Sequence, residues 1–220
     1  MLINVPRIKI CGITRPHDAQ LAAKLGADFL GLIMHKQSPR YVTQQVARDI
    51  IKATIPTVQF VIVSVDQSAS DIISVADKLR CALVQIHGAY TVKEINTIRR
   101  AGLKVIQAFH VGSREDIDHA NKSHADFILL DNKLSDTQPT YGGTGRRFDW
   151  SLLAQRSARP RNLIIAGGLS ADNFAMAIKE TQPLMLDFNS GVEAAPGVKS
   201  PAKLKRLFIA LEQWRCKHVK

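Results

Sequence analysis

Cysteine is scarce in this sequence. Cys11, Cys81 and Cys216 are its only three, they lie far apart, and none has the CxxC or Cys/His spacing that is typical of a zinc site. An odd number of scattered thiols argues against a disulfide framework as well. We therefore expect no disulfide and no bound metal.

Long apolar runs are absent too. No run approaches the roughly 18 residues that a membrane-spanning helix needs, and the opening MLINVPRIK lacks the apolar core of a signal peptide. No segment is of low complexity, and 45% hydrophobic with 22% charged residues is the composition of an ordinary globular protein. We expect a cytoplasmic protein with no membrane partner.

Acidic residues are fewer than basic residues in this sequence. The sequence has 19 Asp and Glu against 30 Lys and Arg, a formal net charge of +11. Such a field attracts polyanions, either nucleic acid or a phosphorylated metabolite. The densest basic stretch, 199–220, has the pattern of a helix with a charged outer face, and no RNP, KH or helix-turn-helix signature accompanies it. This favours a solvated face, so we predict a small phosphorylated substrate and no nucleic-acid partner.

Short runs rich in Val, Ile, Leu and Phe recur along the chain, and each is followed by a polar turn and a helical pattern. This alternation predicts parallel strands with crossover helices, and eight units fit an α/β fold, a (β/α)8 TIM barrel in a single domain over 1–220. An open doubly wound sheet is the alternative, which the lack of a GxGxxG turn after the first strand weakens. We predict strands at 7–12, 29–34, 58–65, 83–87, 104–110, 127–131, 162–166 and 184–188.

Capping signals mark several helix starts. TVKE at 91–94 has the form of a capping box, Thr43 can cap an earlier helix, and Ser200 can cap the last one with Pro201 at its first position. The predicted buried faces are Val92, Ile95 and Ile98; Val46, Ile50 and Ala53; and Leu204, Leu207, Phe208 and Leu211.

The longest irregular stretch, 132–148, follows the sixth predicted strand. Loops of this length inside compact domains are usually functional. We therefore predict a mobile lid there.

Three chemically capable residues end predicted strands: Cys11 ends the first, His87 the fourth and Asp131 the sixth. In a (β/α)8 barrel the active site lies at the carboxyl ends of the strands. Each residue also has a structural interpretation, since Cys11 can be a small buried residue, Asp131 a helix cap and His87 a hydrogen-bonded wall residue. An acid directly after four apolar residues is costly to bury unless it is paired or used, which favours a catalytic role for Asp131.

Glycine-rich turns follow the seventh and eighth predicted strands, in IIAGGLSADN and LDFNSGVEAAPG. In (β/α)8 barrels these two loops commonly bind phosphate, because backbone amides can approach an anion there. The alternative is that both are merely tight turns. Two such turns predict a phosphate site.

Lys9 shares the parity of Cys11 on the first predicted strand, so it is expected to face the barrel interior. A lone buried ammonium would be expensive. The eighth strand neighbours the first in a closed barrel, and it carries Asp187. We predict a Lys9–Asp187 ion pair beneath the site.

Six short motifs in order resemble the phosphoribosylanthranilate isomerase family of tryptophan biosynthesis, over nearly the whole chain: KICGIT at 9–14, SPRYV at 38–42, VQIHG at 84–88, GGTGRRFDW at 142–150, AGGL at 166–169 and SGVEAAPGVK at 190–199. The resemblance implies a (β/α)8 barrel that carries out an internal Amadori rearrangement with no cofactor and no metal. Such chemistry needs one acid and one base.

The resemblance also implies residue roles. Cys11 would be the general base, Asp131 the general acid and Arg40 the ligand of the anthranilate carboxylate. The amides around Gly168, Leu169, Ser190 and Gly191 would bind the phosphate, and the candidate substrate contacts are His87, Gly143, Asp187 and Asn189.

The sequence departs from the family pattern at three places. Asn189 stands where a serine is usual, and Ser200 stands where an aspartate is usual. The third predicted strand lacks the phenylalanine that family members more often have near the position of Ser64. An amide can still donate a hydrogen bond, so we expect activity to survive the change at Asn189.

Two other functions compete with this one. The first is the histidine-pathway barrel isomerase, which performs the same rearrangement but has an aspartate where the thiol stands and phosphate motifs in both halves. The second is a non-catalytic basic protein that binds RNA, for which binding would depend on salt but not on Cys11. The oligomeric state is left open between monomer and homodimer.

Overall fold

The computed structural model describes residues 5–132, 150 and 162–218. Eight strands pair in parallel, each with the next along the chain, and β8 pairs with β1 to close a barrel. The predicted barrel is confirmed, and the open sheet is excluded. The strands β1 to β8 span Arg7–Ile10, Phe29–Ile33, Gln59–Val65, Leu83–His87, Lys104–Val111, Phe127–Asn132, Leu163–Ile165 and Met185–Phe188.

Helices follow the strands on the outside, as crossover connections between parallel strands require. After β8 the chain forms a 3₁₀ turn, Ser190–Val192, and a short antiparallel pair, β9 (Glu193–Ala195) and β10 (Val198–Lys199). Within the described residues the helices α1 to α7 span Pro16–Leu25, Gln44–Ala53, Ala69–Leu79, Val92–Arg100, Arg114–Ala120, Phe174–Thr181 and Pro201–His218. None of these helices is long and apolar enough to cross a membrane.

Apolar side chains form two layers, one on each face of the barrel wall. Because both faces are buried, the strands are nearly continuous hydrophobic runs rather than alternating ones. The inner layer fills the barrel and includes Phe29, Val61, Leu83, Ile106, Leu129, Ile164 and Met185. The outer layer packs the other face of the strands against the helices and includes Ile8, Ile10, Leu30, Ile62, Val84, Leu130 and Leu186.

The predicted helix caps are confirmed. The side chain of Thr43 accepts a hydrogen bond from Val46 N, that of Ser200 accepts one from Lys203 N, and Thr91 forms a full capping box with Glu94. These side chains satisfy amide groups that the first turn of a helix leaves without an intrahelical partner.

Two predicted helix faces are partly wrong. In α2 the buried residues are Ala47 and Ile50, whereas Val46 is 37% exposed and Ala53 is exposed. In α4 Val92 is 47% exposed. Steps of three residues along a helix drift by about 60° each, so Val92 leaves the face that Ile95 and Ile98 share. In α2 the small Ala47 packs against the barrel in place of Val46 while Ile50 stays buried, which rotates the buried face by about 60°, a sixth of a turn. The predicted face of α7 is confirmed.

The predicted lid over 132–148 lies outside the described residues except for Asn132, and so does Gly143.

Candidate active site

A cavity of about 290 Å³ opens at the carboxyl ends of the strands. Nine of the predicted site residues line it: Cys11, His87, Asp131, Gly168, Leu169, Asp187, Asn189, Ser190 and Gly191. They come from the end of β1, from β4, β6 and β8, and from the turns after β7 and β8, and only the closed barrel brings these elements together. The cavity wall also contains residues that sequence analysis missed, among them His35, Asp66, Gln85 and His110.

Cys11 follows the last residue of β1, where its amide still donates to the carbonyl of Phe188 at 2.8 Å. Gly12 then adopts a φ of +70°, which ends the strand. Gly31 on the neighbouring β2 leaves room for the thiol, because a Cβ there would lie 2.7 Å from Cys11 Sγ and 3.1 Å from Cys11 Cα. The thiol therefore packs against the backbone of β2, with 5% of the residue exposed.

Beneath the thiol lies the predicted ion pair. Lys9 and Asp187 are directly opposite each other in the β1–β8 ladder, and Lys9 Nζ is 2.7 Å from Asp187 Oδ2. Burial lowers the pKa of Lys9, but the interactions of Lys9 with Asp187 and Cys11 outweigh burial and hold that pKa above its ordinary value. The prediction is confirmed, and Lys9 places a positive charge next to the thiol.

The pKa of the Cys11 thiol is raised above its ordinary value. Burial is the largest cause, because it penalises the thiolate. Lys9 acts in the opposite direction, whereas the carboxylate of Asp187 adds to the rise. The raised pKa favours the neutral form of Cys11, and Lys9 is the main group that favours its ionisation.

The two glycine-rich turns touch. A Cβ on Gly191 would collide with the carbonyl oxygen of Leu169, so only glycine permits this approach. The first turn is fixed further by Asn173, whose side chain donates to Gly168 O at 2.8 Å and accepts from Ser170 N at 2.9 Å. The turns after β7 and β8 thus form one continuous wall of the cavity.

Arg40 is not part of the cavity lining. Its Nη2 donates to Glu193 Oε2 at 2.7 Å and its Nε to Glu193 Oε1 at 2.9 Å, and only 4% of the residue is exposed. It nevertheless packs against Gly12, the residue that follows Cys11, because a Cβ on Gly12 would be 2.7 Å from Arg40 Cδ.

Lys199 corrects the prediction that 199–220 is a uniformly solvated face. Its residue is 1% exposed, and its Nζ donates to Glu193 Oε1 at 2.9 Å. Lys199 belongs to β10, which ends before α7 begins, so the helical charge pattern does not extend to it. Its presence in the SGVEAAPGVK motif, together with Glu193, is the signal in the sequence that could have identified it.

His87 remains neutral at ordinary pH. Burial is the main cause that lowers its pKa to about 3, and the positive charges of His110 and Lys9 add to the effect. Gln85 Nε2 lies 2.7 Å from His87 Nε2. If Gln85 donates in this contact, the ring proton is on Nδ1.

Among the described residues, no group of three or more His, Cys, Asp or Glu side chains is arranged to hold a metal ion. The groups that line the mouth are instead those of acid–base chemistry: a thiol, three carboxyl groups and three imidazoles. Polar groups gathered at the strand ends of a closed eight-stranded parallel barrel place the protein among the (β/α)8-barrel enzymes.

Comparison with known proteins narrows this class. The model of the N-(5'-phosphoribosyl)anthranilate (PRA) isomerase family matches residues 8–210, and the chain belongs to that family. The N-(5'-phosphoribosyl)anthranilate isomerase of Stutzerimonas stutzeri (strain A1501) is 40% identical over 203 residues, which cover 91% of this chain and 94% of that protein.

Solved structures agree. Phosphoribosyl anthranilate isomerase from Thermotoga maritima has a TM-score of 0.86 at 35% identity, with 94% of this chain and 99% of that chain covered. A phosphoribosyl anthranilate isomerase in complex with reduced 1-(o-carboxyphenylamino)-1-deoxyribulose 5-phosphate has a TM-score of 0.83 at 32% identity, with the same coverage.

The Lys9→Met variant tests the ion pair. It leaves the Asp187 carboxylate buried without its cation, and we expect a loss of about 3–5 kcal/mol in the free energy of unfolding, measured by urea denaturation. The double variant Lys9→Met/Asp187→Leu, which removes both charges, should recover most of this loss. Equal losses in the single and double variants would contradict the assignment.

The Gly31→Ala variant tests whether the Cys11 thiol needs the space that the missing side chain of Gly31 leaves. The added methyl group meets Cys11 Sγ and Cα, so we expect turnover to fall by about 100-fold, the scale of a misplaced reacting group. The matched control is Gly102→Ala, remote from the cavity, where the left-handed φ of +87° gives backbone strain but no atom lies within 4 Å of the added Cβ. The control should lose stability but keep its turnover.

The lowered pKa of His87 predicts that the free energy of unfolding depends on pH. Its pKa is about 3 in the folded chain and about 6.5 when unfolded, so the unfolded state binds more protons between these values. The stability that neutral His87 contributes above pH 6.5 is therefore lost as the pH falls towards 3. Between pH 7.5 and 4.5 we expect the wild type to lose about 3 kcal/mol more than His87→Asn in urea denaturation. Parallel pH curves for the two proteins would refute this.

Proposed function

We propose that the chain converts N-(5-phosphoribosyl)anthranilate to 1-(2-carboxyphenylamino)-1-deoxyribulose 5-phosphate, with Cys11 as general base and Asp131 as general acid. The observation that carries the proposal is that both side chains line one cavity, together with the glycine-rich turns after β7 and β8. Membership of the isomerase family supports the same reaction. The comparisons favour neither the histidine-pathway isomerase nor an RNA-binding protein.

The reaction begins with Asp131. Its carboxyl group donates a proton to the ring oxygen of the ribose as the C1–O bond breaks, and the nitrogen lone pair forms an iminium at C1. Cys11 then removes the proton from C2, and the electrons of that C–H bond neutralise the iminium to give an enolamine. Loss of the C2 hydroxyl proton and protonation of C1 yield the ketone. No cofactor enters these steps.

Cys11 acts as the base in its thiolate form, so the thiol proton must leave to solvent before the C2 proton is removed. Burial opposes ionisation, whereas Lys9 favours it. The iminium brings a second positive charge close to Cys11 at the moment when the proton is removed. Removal of the C2 proton therefore coincides with the most favourable electrostatics for a thiolate.

The substrate carries two anionic groups, and the mouth offers a binding region for each. The phosphate would rest on the amides of the Gly168–Leu169 and Ser190–Gly191 turns, where glycine lets backbone N–H groups approach an anion. The carboxylate would bind Arg40, which lies next to Gly12. His87, Asp187 and Asn189, which share the cavity wall, are the remaining candidate contacts.

The loss of anthranilate fluorescence as freshly prepared substrate is converted tests the proposal directly. We expect the wild type to turn over and both Cys11→Ser and Asp131→Asn to lose about 100- to 10,000-fold in kcat, the usual contribution of a general acid or base.

Two matched variants serve as controls for this assay. Cys81→Ser changes a buried thiol outside the cavity, and Asp49→Asn changes an exposed carboxylate on α2. Both should retain turnover. Absence of turnover in the wild type would overturn the proposed reaction, and an active Cys11→Ser or Asp131→Asn would overturn that residue's role.

A further inference from the structure

Three buried charged side chains form a cluster beside the cavity: Arg40, Glu193 and Lys199. They are 4%, 6% and 1% exposed, respectively. Arg40 lies in the segment between β2 and α2, Glu193 begins β9 and Lys199 ends β10. None of the chemical steps above uses Glu193 or Lys199, although burying them is costly.

The Glu193 carboxylate accepts hydrogen bonds from three residues. Oε2 accepts from Arg40 Nη2 at 2.7 Å, and Oε1 accepts from Arg40 Nε at 2.9 Å, from Lys199 Nζ at 2.9 Å and from Gly197 N at 3.1 Å. Burial opposes ionisation of Glu193, but Arg40 and Lys199 outweigh it and keep the pKa below its ordinary value. Glu193 is thus an ionised carboxylate of fixed orientation.

Arg40 is held on one edge of its guanidinium. Among the described residues every hydrogen bond of the guanidinium goes to Glu193, through the Nε–Nη2 edge. A guanidinium has a second donor edge, Nη1–Nη2, with the same spacing for the two oxygens of a carboxylate. Fixing the first edge also fixes the direction of the second, because the group is planar and rigid.

The cluster has surplus positive charge. Its two cations and one carboxylate give a net charge of +1, in a site with little access to water. A buried charge without a partner is expensive, so the cluster is suited to receive an anion.

The same cluster touches the phosphate-binding side of the cavity. Lys199 Nζ donates to Asn189 Oδ1 at 3.0 Å, and Asn189 directly precedes the 3₁₀ turn that contains Ser190 and Gly191. A Cβ on Gly12 would lie 2.7 Å from both Arg40 Cδ and Asn189 Oδ1. The Arg40 and Asn189 side chains therefore meet against the residue that follows the thiol.

We propose that Glu193 is a positioning residue that aims the Nη1–Nη2 edge of Arg40 at the substrate carboxylate, and that Lys199 joins this carboxylate site to the phosphate loop through Asn189. The inference rests on the proposed function for the identity of the substrate. It concerns residues that do not touch the reacting atoms.

The Glu193→Gln variant separates positioning from simple electrostatics. Removing the carboxylate raises the charge of the cluster by one unit, so electrostatics alone would tighten the binding of an anion. Loss of positioning would weaken binding of the carboxylate only. The probes are anthranilate, which has the carboxylate but no phosphate, and inorganic phosphate, with both dissociation constants measured by isothermal titration calorimetry.

We expect Glu193→Gln to weaken anthranilate binding by about tenfold, the scale of one charge-assisted hydrogen bond. Phosphate binding should stay within about twofold. In turnover, KM should rise by a similar factor while kcat changes by less than about threefold, because a lost ground-state contact affects both states equally. The control Glu212→Gln makes the same chemical change on the exposed face of α7 and should alter none of these values.

A second variant covers the case in which two unpaired buried cations prevent folding. Glu193→Gln/Lys199→Met removes one charge of each sign and restores the net charge of the cluster. It should show the same loss of anthranilate binding. The proposal is overturned if anthranilate binding is unchanged or tighter in the variants, or if Glu193→Gln weakens anthranilate and phosphate equally, as general loosening of the fold would.

These outcomes are separate from the fate of the proposed reaction. Calorimetry needs no turnover, so a wild type that binds anthranilate through the cluster but fails to isomerise would overturn the reaction and leave the positioning role standing. An active wild type with unaltered binding in Glu193→Gln would do the reverse.

Discussion

The contact between β1 and β8 is the interaction on which the barrel and its site both depend. Parallel pairing there closes the sheet, and it places Lys9 directly opposite Asp187. Cys11 continues β1 beyond this pair, and its amide donates to the carbonyl of Phe188. The closure of the barrel and the electrostatic surroundings of the thiol are therefore produced by the same pairing.

The buried charged side chains around the mouth leave an excess of positive charge on one side of it. Two buried cations lie close to the thiol, Lys9 below it and Lys199 beside it, and each has a carboxylate partner. Arg40 shares the partner of Lys199, so positive charge is in excess on the side where the glycine-rich turns meet. A substrate with two anionic groups would neutralise this excess, and the +11 charge of the chain would assist its approach.

The fold was predictable because its signal is repeated eight times. Each buried parallel strand is a short apolar run, and the residue at its carboxyl end is thereby assigned to the mouth without knowledge of any contact. Lys9 and Asp187 were predictable for a related reason, since strand parity and barrel closure leave one obvious partner for a buried ammonium.

Other features depend on packing that no local pattern encodes. The buried face of α2 is set by how closely Ala47 approaches the barrel, which periodicity does not report. Lys199 is adjacent in sequence to a basic helix but folds back as β10 onto Glu193. Arg40 was assigned to a carboxylate, and the structure pairs it with one from the chain itself, 153 residues away.

The Lys9–Asp187 pair has a consequence for the order in which the molecule is assembled. Its two members are separated by 178 residues, nearly the whole length of the chain. Contacts of such separation carry the largest loop-closure entropy and form when most of the chain has already been ordered. Lys9 lies two residues from the thiol on the same strand, but its carboxylate partner arrives only when the last strand joins the first. A nascent chain that lacks β8 therefore has Cys11 and Lys9 close in sequence without the carboxylate that holds Lys9 protonated inside the barrel.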